Sequence, residues 1–134
     1  MARVLALVPD LLFGSRVQGE LAAAGHEVEL IPDERRLRER LGERGAGALA
    51  VLIVDLTDGD LDGAATVRSL ARSGALGQAR TLGFYSHVDA AARAGAERAG
   101  FDLVVPRSRM AREGGELVAR LAAQGPRTGG RAPA

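Results

Sequence analysis

The sequence predicts a single doubly wound α/β domain, in which a parallel β-sheet is covered by helices on both faces. Five short apolar runs alternate with five segments of helical period along the 134 residues, and a glycine follows each helical segment. The chain is 46% hydrophobic, which is enough to bury a core. Strict strand–helix alternation implies a parallel sheet, and right-handed crossovers leave few topologies for it.

The five predicted strands are short and strongly apolar. They cover Val4–Val8, Glu27–Ile31, Leu49–Asp55, Thr81–Ser86 and Asp102–Val105. The third run is continuously apolar from Leu49 to Val54, which is typical of a central parallel strand that is covered on both faces. It ends abruptly at Asp55.

The segments between the strands repeat apolar residues at helical spacing. The predicted helices cover Ser15–Ala24, Asp33–Arg44, Asp62–Ser73, Val88–Ala99 and Arg109–Gln124. A glycine just past each helix is the usual stop signal. Residues 125–134 have no apolar face, so we expect a domain over residues 1–124 and a flexible C-terminal tail over 125–134.

Composition narrows the functional classes. The formal net charge is only +1, which gives no strong attraction to nucleic acid or to a membrane surface. No apolar stretch approaches the roughly 20 residues of a membrane helix, so we expect a cytoplasmic protein. Cysteine is absent, which excludes disulfides and thiol chemistry. All 18 basic residues are arginine, so no mechanism that needs a lysine amine can operate.

Two aspartates follow strands that should be neighbours in the sheet. Asp10 comes after the first strand and Asp55 ends the third, so both should lie in the crevice at the switch point. Close carboxylates repel, and a divalent cation such as Mg²⁺ relieves that repulsion. An aspartate beside such a cation can attack a phosphoryl group. Asp10 could instead cap the first helix or lie in solvent.

The segment that starts at Asp55 resembles a loop of the receiver domains of CheY-like response regulators. In that family an acceptor aspartate is followed by six residues and then by Asp-Gly, which opens the third helix; here Asp62-Gly63 has that spacing. A serine at the end of strand four and Ala99-Gly100 before strand five also fit. The resemblance covers about residues 3–124 and implies a (βα)5 flavodoxin-like fold with strand order 2-1-3-4-5.

The resemblance also implies roles for individual residues. Asp55 would accept the phosphoryl group, and Asp10 would bind Mg²⁺ directly together with Asp55. Thr57 would offer its backbone carbonyl to the metal, and Ser86 would be the switch hydroxyl. Such a domain is not an enzyme but a signalling module, which binds Mg²⁺ weakly and contacts a histidine kinase or a downstream effector.

The sequence departs from the family pattern at the site itself. Pro9 stands where the family usually has a second acid, and Gly59 replaces a proline. The family's lysine after strand five is replaced by Pro106 or, with a shift of one residue, by Arg107. Arg107 could take over the role of the lysine, because a guanidinium binds phosphate well, or it could lie in solvent. His87, next to Ser86, is expected to be a loop residue without chemistry.

Three functions therefore stay open. The first is a stand-alone, atypical receiver-like signalling domain that is regulated by phosphorylation of Asp55. The second is a degenerate receiver that works by protein contacts alone, and the third is a flavodoxin-like domain that binds a small molecule. We expect a partner protein at the face of helix four, strand five and helix five. The alanine-rich helix four suggests a homodimer, and neither nucleic acid nor membrane is an expected partner.

Overall fold

Five parallel strands form one sheet in the order β2-β1-β3-β4-β5, as the sequence predicts. The computed structural model describes residues 2–44, 49–57, 61–86 and 90–125. In this part of the chain the strands are β1 (Arg3–Leu7), β2 (Glu27–Ile31), β3 (Val51–Asp55), β4 (Arg80–Tyr85) and β5 (Leu103–Pro106). The helices are α1 (Leu11–Ala23), α2 (Glu34–Arg44), α3 (Gly63–Ser73), α4 (Ala90–Ala99) and α5 (Arg107–Ala123).

The register of the strands brings their carboxyl ends to one edge of the sheet, which we call the crest. Leu7 of β1 lies opposite Val54 of β3, and Asp55 lies opposite Phe84 of β4. The loops that follow these strands therefore lie side by side. Any chemistry built from strand ends must be located at the crest.

The core consists of two apolar layers, one on each face of the sheet. Alternate residues of β3 point to opposite faces, as the pleat requires. Val51 and Ile53 pack in the layer with α1 and α5, whereas Leu52 and Val54 pack in the layer with α2, α3 and α4. All five residues of β3 are buried, which explains why the strand is apolar up to Asp55.

Helices α1 and α5 approach each other closely at two glycines of α5. A Cβ atom on Gly115 would lie 2.6 Å from the Cβ of Ala24, and one on Gly114 would lie 2.9 Å from Leu21 Cδ1. His26 adds a polar connection at the same place. Its Nδ1 accepts a hydrogen bond from the Ala2 N–H at 3.1 Å, and its Nε2 donates to the Gly115 carbonyl at 2.9 Å.

Two helices begin earlier than the periodicity predicts. Helix α1 begins at Leu11 rather than Ser15, because the Asp10 side chain caps its first turn. Helix α5 begins at Arg107 rather than Arg109. Its N-cap is Pro106, whose extended backbone lacks an N–H that would need a partner.

The strand boundaries differ from the predictions by one or two residues. Strands β1 and β4 lie one residue earlier than predicted and β5 one residue later, while β3 begins at Val51. Ser86 thus follows β4 rather than ending it. Several predicted features lie outside the described residues: the loop positions 58–60, His87, the start of the fourth helix at Val88, and positions 126–134 of the tail. Within the described residues, no helix is long and apolar enough to span a membrane.

The close packing of α1 on α5 makes a quantitative prediction about two glycines. Replacing Gly115 with alanine should lower the free energy of unfolding by about 1–3 kcal/mol, because the new methyl group overlaps Ala24. Gly19→Ala is the matched control: nothing lies within 4 Å of a Cβ there, so helix propensity should stabilise the protein by about 0.5–1 kcal/mol. Urea unfolding measures both, and equal effects of the two substitutions would contradict the described packing.

Candidate functional site

Asp55 is the last residue of β3 and is almost completely buried, with 3% of its surface exposed. One carboxylate oxygen, Oδ1, accepts two hydrogen bonds from Thr57, from the backbone N–H at 2.7 Å and from the side-chain hydroxyl at 2.5 Å. A buried carboxylate needs such donors to offset its lost hydration. Thr57 is therefore the residue that stabilises Asp55 at this position.

Asp10 is the N-cap of α1. Its Oδ1 accepts hydrogen bonds from the N–H groups of Leu12 at 3.0 Å and Phe13 at 3.2 Å. The bond from Phe13 is the main reason that the pKa of the Asp10 carboxyl lies below its ordinary value. Desolvation opposes this lowering, and Leu12 and Arg107 add to it. Asp10 is consequently ionised at neutral pH, and it performs the helix-capping role that sequence reasoning had left open.

Arg107, the first residue of α5, contacts Asp10 and Phe13. Its Nη2 lies 3.2 Å from Asp10 Oδ2, and its guanidinium carbon lies 4.1 Å from the centroid of the Phe13 ring. Phe13 packs in turn on Phe84, with ring centroids 5.1 Å apart. A guanidinium at this distance from an aromatic face is attracted by the ring as well as by the carboxylate. We call the three residues Arg107, Asp10 and Phe13 the Arg107 clasp.

All five predicted site residues lie at the crest, and the structure joins four of them in two separate pairs: Asp55 with Thr57, and Asp10 with Arg107. Ser86 is exposed one residue beyond β4, two positions after the residue that lies opposite Asp55. Sequence reasoning considered phosphate and solvent as partners for Arg107 and did not consider Asp10. It also missed Phe13, although the spacing of Asp10 and Phe13 across one helical turn was a usable signal.

No protein-family model matches the sequence, and no curated protein is significantly similar to it. Solved structures are similar in fold. The receiver domain of the Francisella response regulator 1452 has a TM-score of 0.79 at 13% identity over 92% of this chain and 98% of that one. The Vibrio cholerae chemotaxis protein CheY4 has a TM-score of 0.78 at 18% identity, and the match covers 90% of this chain and 98% of that one. A response regulator from Thermotoga maritima has a TM-score of 0.77 at 15% identity, and the match covers 92% of this chain and 98% of that one.

The chain has the receiver fold. Sequence identities this low show a shared fold only. The observed order of the five strands is the predicted one. What the site does must be argued from its own residues, because similar folds carry different functions.

In the described part of the crest, the two acids that the resemblance assigns to magnesium already have hydrogen-bond partners within the chain. Mg²⁺ takes oxygen ligands in nearly octahedral geometry. Both oxygens of Asp10 already accept hydrogen bonds, and Asp55 Oδ1 accepts two from Thr57. Pro9 brings no carboxylate. Among the residues that the structure describes, no group of three or more metal-binding side chains occurs. In this arrangement Arg107 supplies the positive charge beside Asp10.

The two hydrogen bonds to Asp55 predict how substitutions at Thr57 will act in this receiver fold. Thr57→Val keeps the shape but removes the hydroxyl donor, so a buried carboxylate oxygen loses one partner; we expect a loss of about 1–3 kcal/mol in stability. Thr57→Ser retains the hydroxyl and should be closer to the wild type. Thermal unfolding at neutral pH compares the two, and a valine variant as stable as the serine variant would show that the hydroxyl contributes nothing.

Proposed function

We propose that this receiver-fold chain is a signalling domain that works through protein–protein contacts and does not use phosphoryl transfer to Asp55. The observation that carries the proposal is the Arg107 clasp. In it, the Arg107 guanidinium of the same chain binds Asp10, the acid that the resemblance assigns to the metal. A residue of the chain itself thereby supplies the positive charge beside Asp10.

The environment of Asp55 supports the same proposal. A phosphoryl acceptor must be reached by its donor, and charge on the transferred group must be neutralised by nearby cations. Asp55 is 3% exposed, and one of its oxygens is held by Thr57. The sequence contains no lysine, and the guanidinium of Arg107 is engaged with Asp10 and Phe13.

Phosphorylation-dependent signalling is the second candidate, and the position of Asp55 favours it. The residue ends the central strand at the crest, and its Oδ2 has no hydrogen bond to any of the described residues. The exposed Ser86 follows the neighbouring strand. This candidate shares the protein partners of the first, a kinase or an effector, and differs in what controls binding.

A phosphoryl analogue distinguishes the two candidates. The chain is incubated with millimolar Mg²⁺ and beryllofluoride, and its backbone amide NMR spectrum is compared with that of Asp55→Asn under the same conditions. We expect the wild-type spectrum to remain unchanged, because the carboxylate is covered and the described residues contain no group of three or more metal-binding side chains. Parallel incubation with acetyl phosphate should leave the intact mass of the protein unaltered.

Changes in amide positions around Asp55 in the wild type, absent in Asp55→Asn, would overturn the proposal. An increase in mass that corresponds to one phosphoryl group, again lost in the asparagine variant, would do the same. Either result would make phosphorylation the better account of the site.

A further inference from the structure

Two adjacent leucines at the start of α1 are exposed to solvent. Leu11 is 71% exposed and Leu12 is 83% exposed, and they are the large hydrophobic side chains that stand out as exposed in the described part of the chain. Phe13, the next residue, is buried. Single exposed apolar residues are ordinary on protein surfaces, but a contiguous apolar patch beside polar residues is characteristic of a binding surface.

A groove of about 430 Å³ opens at the crest. Pro9 forms part of its wall, and the leucine pair begins two residues after Pro9 in the chain. The groove joins the starts of α2 and α3. Its apolar walls are Pro9, Pro32 and Leu61, and its acidic walls are Asp33, Glu34 and Asp62.

The acidic walls keep negative charge in the groove. Asp33 and Asp62 each use Oδ1 to cap a helix, accepting from Arg36 N–H at 2.8 Å and Ala65 N–H at 3.0 Å. Their second oxygens accept no hydrogen bond from any described residue. Within the described part of the chain, these two oxygens therefore carry negative charge that no donor offsets.

The remaining charges of the groove are paired within the chain. Glu34 accepts hydrogen bonds from Arg38 at 2.8 Å and from the Thr66 hydroxyl at 3.0 Å, and these bonds lower the pKa of its carboxyl. Arg35, the basic residue of the wall, pairs with Glu39 at 2.9 Å. The unbalanced charge of the groove is therefore negative and comes from the two capping aspartates.

We propose that this surface, consisting of Leu11, Leu12 and the groove walled by Pro9, Asp33 and Asp62, binds a segment of a partner protein that carries arginine or lysine beside apolar side chains. The apolar residues of the segment cover the leucines, and a cation reaches the free oxygens of the aspartates. The proposal rests on the proposed function and names the surface and the partner chemistry. It differs from the face of α4, β5 and α5 that the sequence suggested.

Substitution of the capping aspartates can remove charge without removing the caps. Asparagine caps helices about as well as aspartate, so Asp33→Asn and Asp62→Asn should preserve the fold. Leu11→Ser and Leu12→Ser test the apolar part. Glu116→Gln is the matched control, since it removes an exposed carboxylate from α5, away from the crest.

The probes are two fluorescent synthetic peptides of equal length, one of alternating leucine and arginine and one of alternating leucine and glutamate. Anisotropy gives the affinity, and changes in backbone amide NMR positions locate the contact. We expect the arginine peptide to shift amides at 10–12, 33–36 and 61–65. Asp33→Asn with Asp62→Asn should weaken binding about tenfold, and the double serine variant should weaken it similarly. Glu116→Gln should bind as the wild type does.

Equal binding of the two peptides, or affinity that is unchanged in the asparagine variant, would overturn the inference. So would amide changes confined to α4, β5 and α5, or a peptide that does not bind at all. None of these results touches the proposed function, which is decided by beryllofluoride at Asp55. Conversely, a phosphoryl adduct at Asp55 together with peptide binding at the groove would overturn the proposed function and leave the surface intact.

Discussion

The carboxylate of Asp10 is the constraint on which the account of this site depends. It accepts two N–H groups at the start of α1 through one oxygen and the guanidinium of Arg107 through the other. A single side chain thus begins the first helix and connects it to the start of the last. Donors of the chain itself therefore engage both oxygens of this carboxylate, and that observation carries the proposed function.

The packing of α1 on α5 places Arg107 where it can make this contact. Both helices begin at the crest and run in the same direction, and Gly115 brings α5 close to Ala24 at the far end of α1. Gly115 N–H also donates to the Glu20 carboxylate at 3.1 Å, in addition to its contact with His26. With the helices fixed at this spacing, the first residue of α5 lies over the first turn of α1. The core and the clasp are therefore parts of one arrangement.

Hydrophobic periodicity and strand ends were sufficient to predict the parallel sheet and the residues that gather at the crest, and the resemblance to receiver domains supplied the strand order. Asp55 ends β3, and Asp10 follows the neighbouring strand β1. Their position at the same edge of the sheet could therefore be predicted. The sequence did not show which group the Asp10 carboxylate would bind. A carboxylate before a helix can cap it or bind a cation, and only the distance between α1 and α5 decides that Arg107 reaches Asp10. That distance depends on the glycines of α5, and hydrophobic periodicity carries no information about glycine positions. The early start of α1 was missed because the capping role of Asp10 was left open beside its role as a ligand.

The most direct test of the account is a carbon-13 NMR titration of the Asp10 carboxyl with and without Mg²⁺, in the wild type and in Arg107→Ala. The account predicts a pKa below the ordinary aspartate value in the wild type, held down chiefly by the Phe13 N–H and unaffected by millimolar Mg²⁺. In the alanine variant the pKa should rise toward its ordinary value, and Mg²⁺ should then affect it. An ordinary pKa in the wild type, or a wild-type pKa that Mg²⁺ lowers further, would contradict the claim that the chain's own donors occupy this carboxylate.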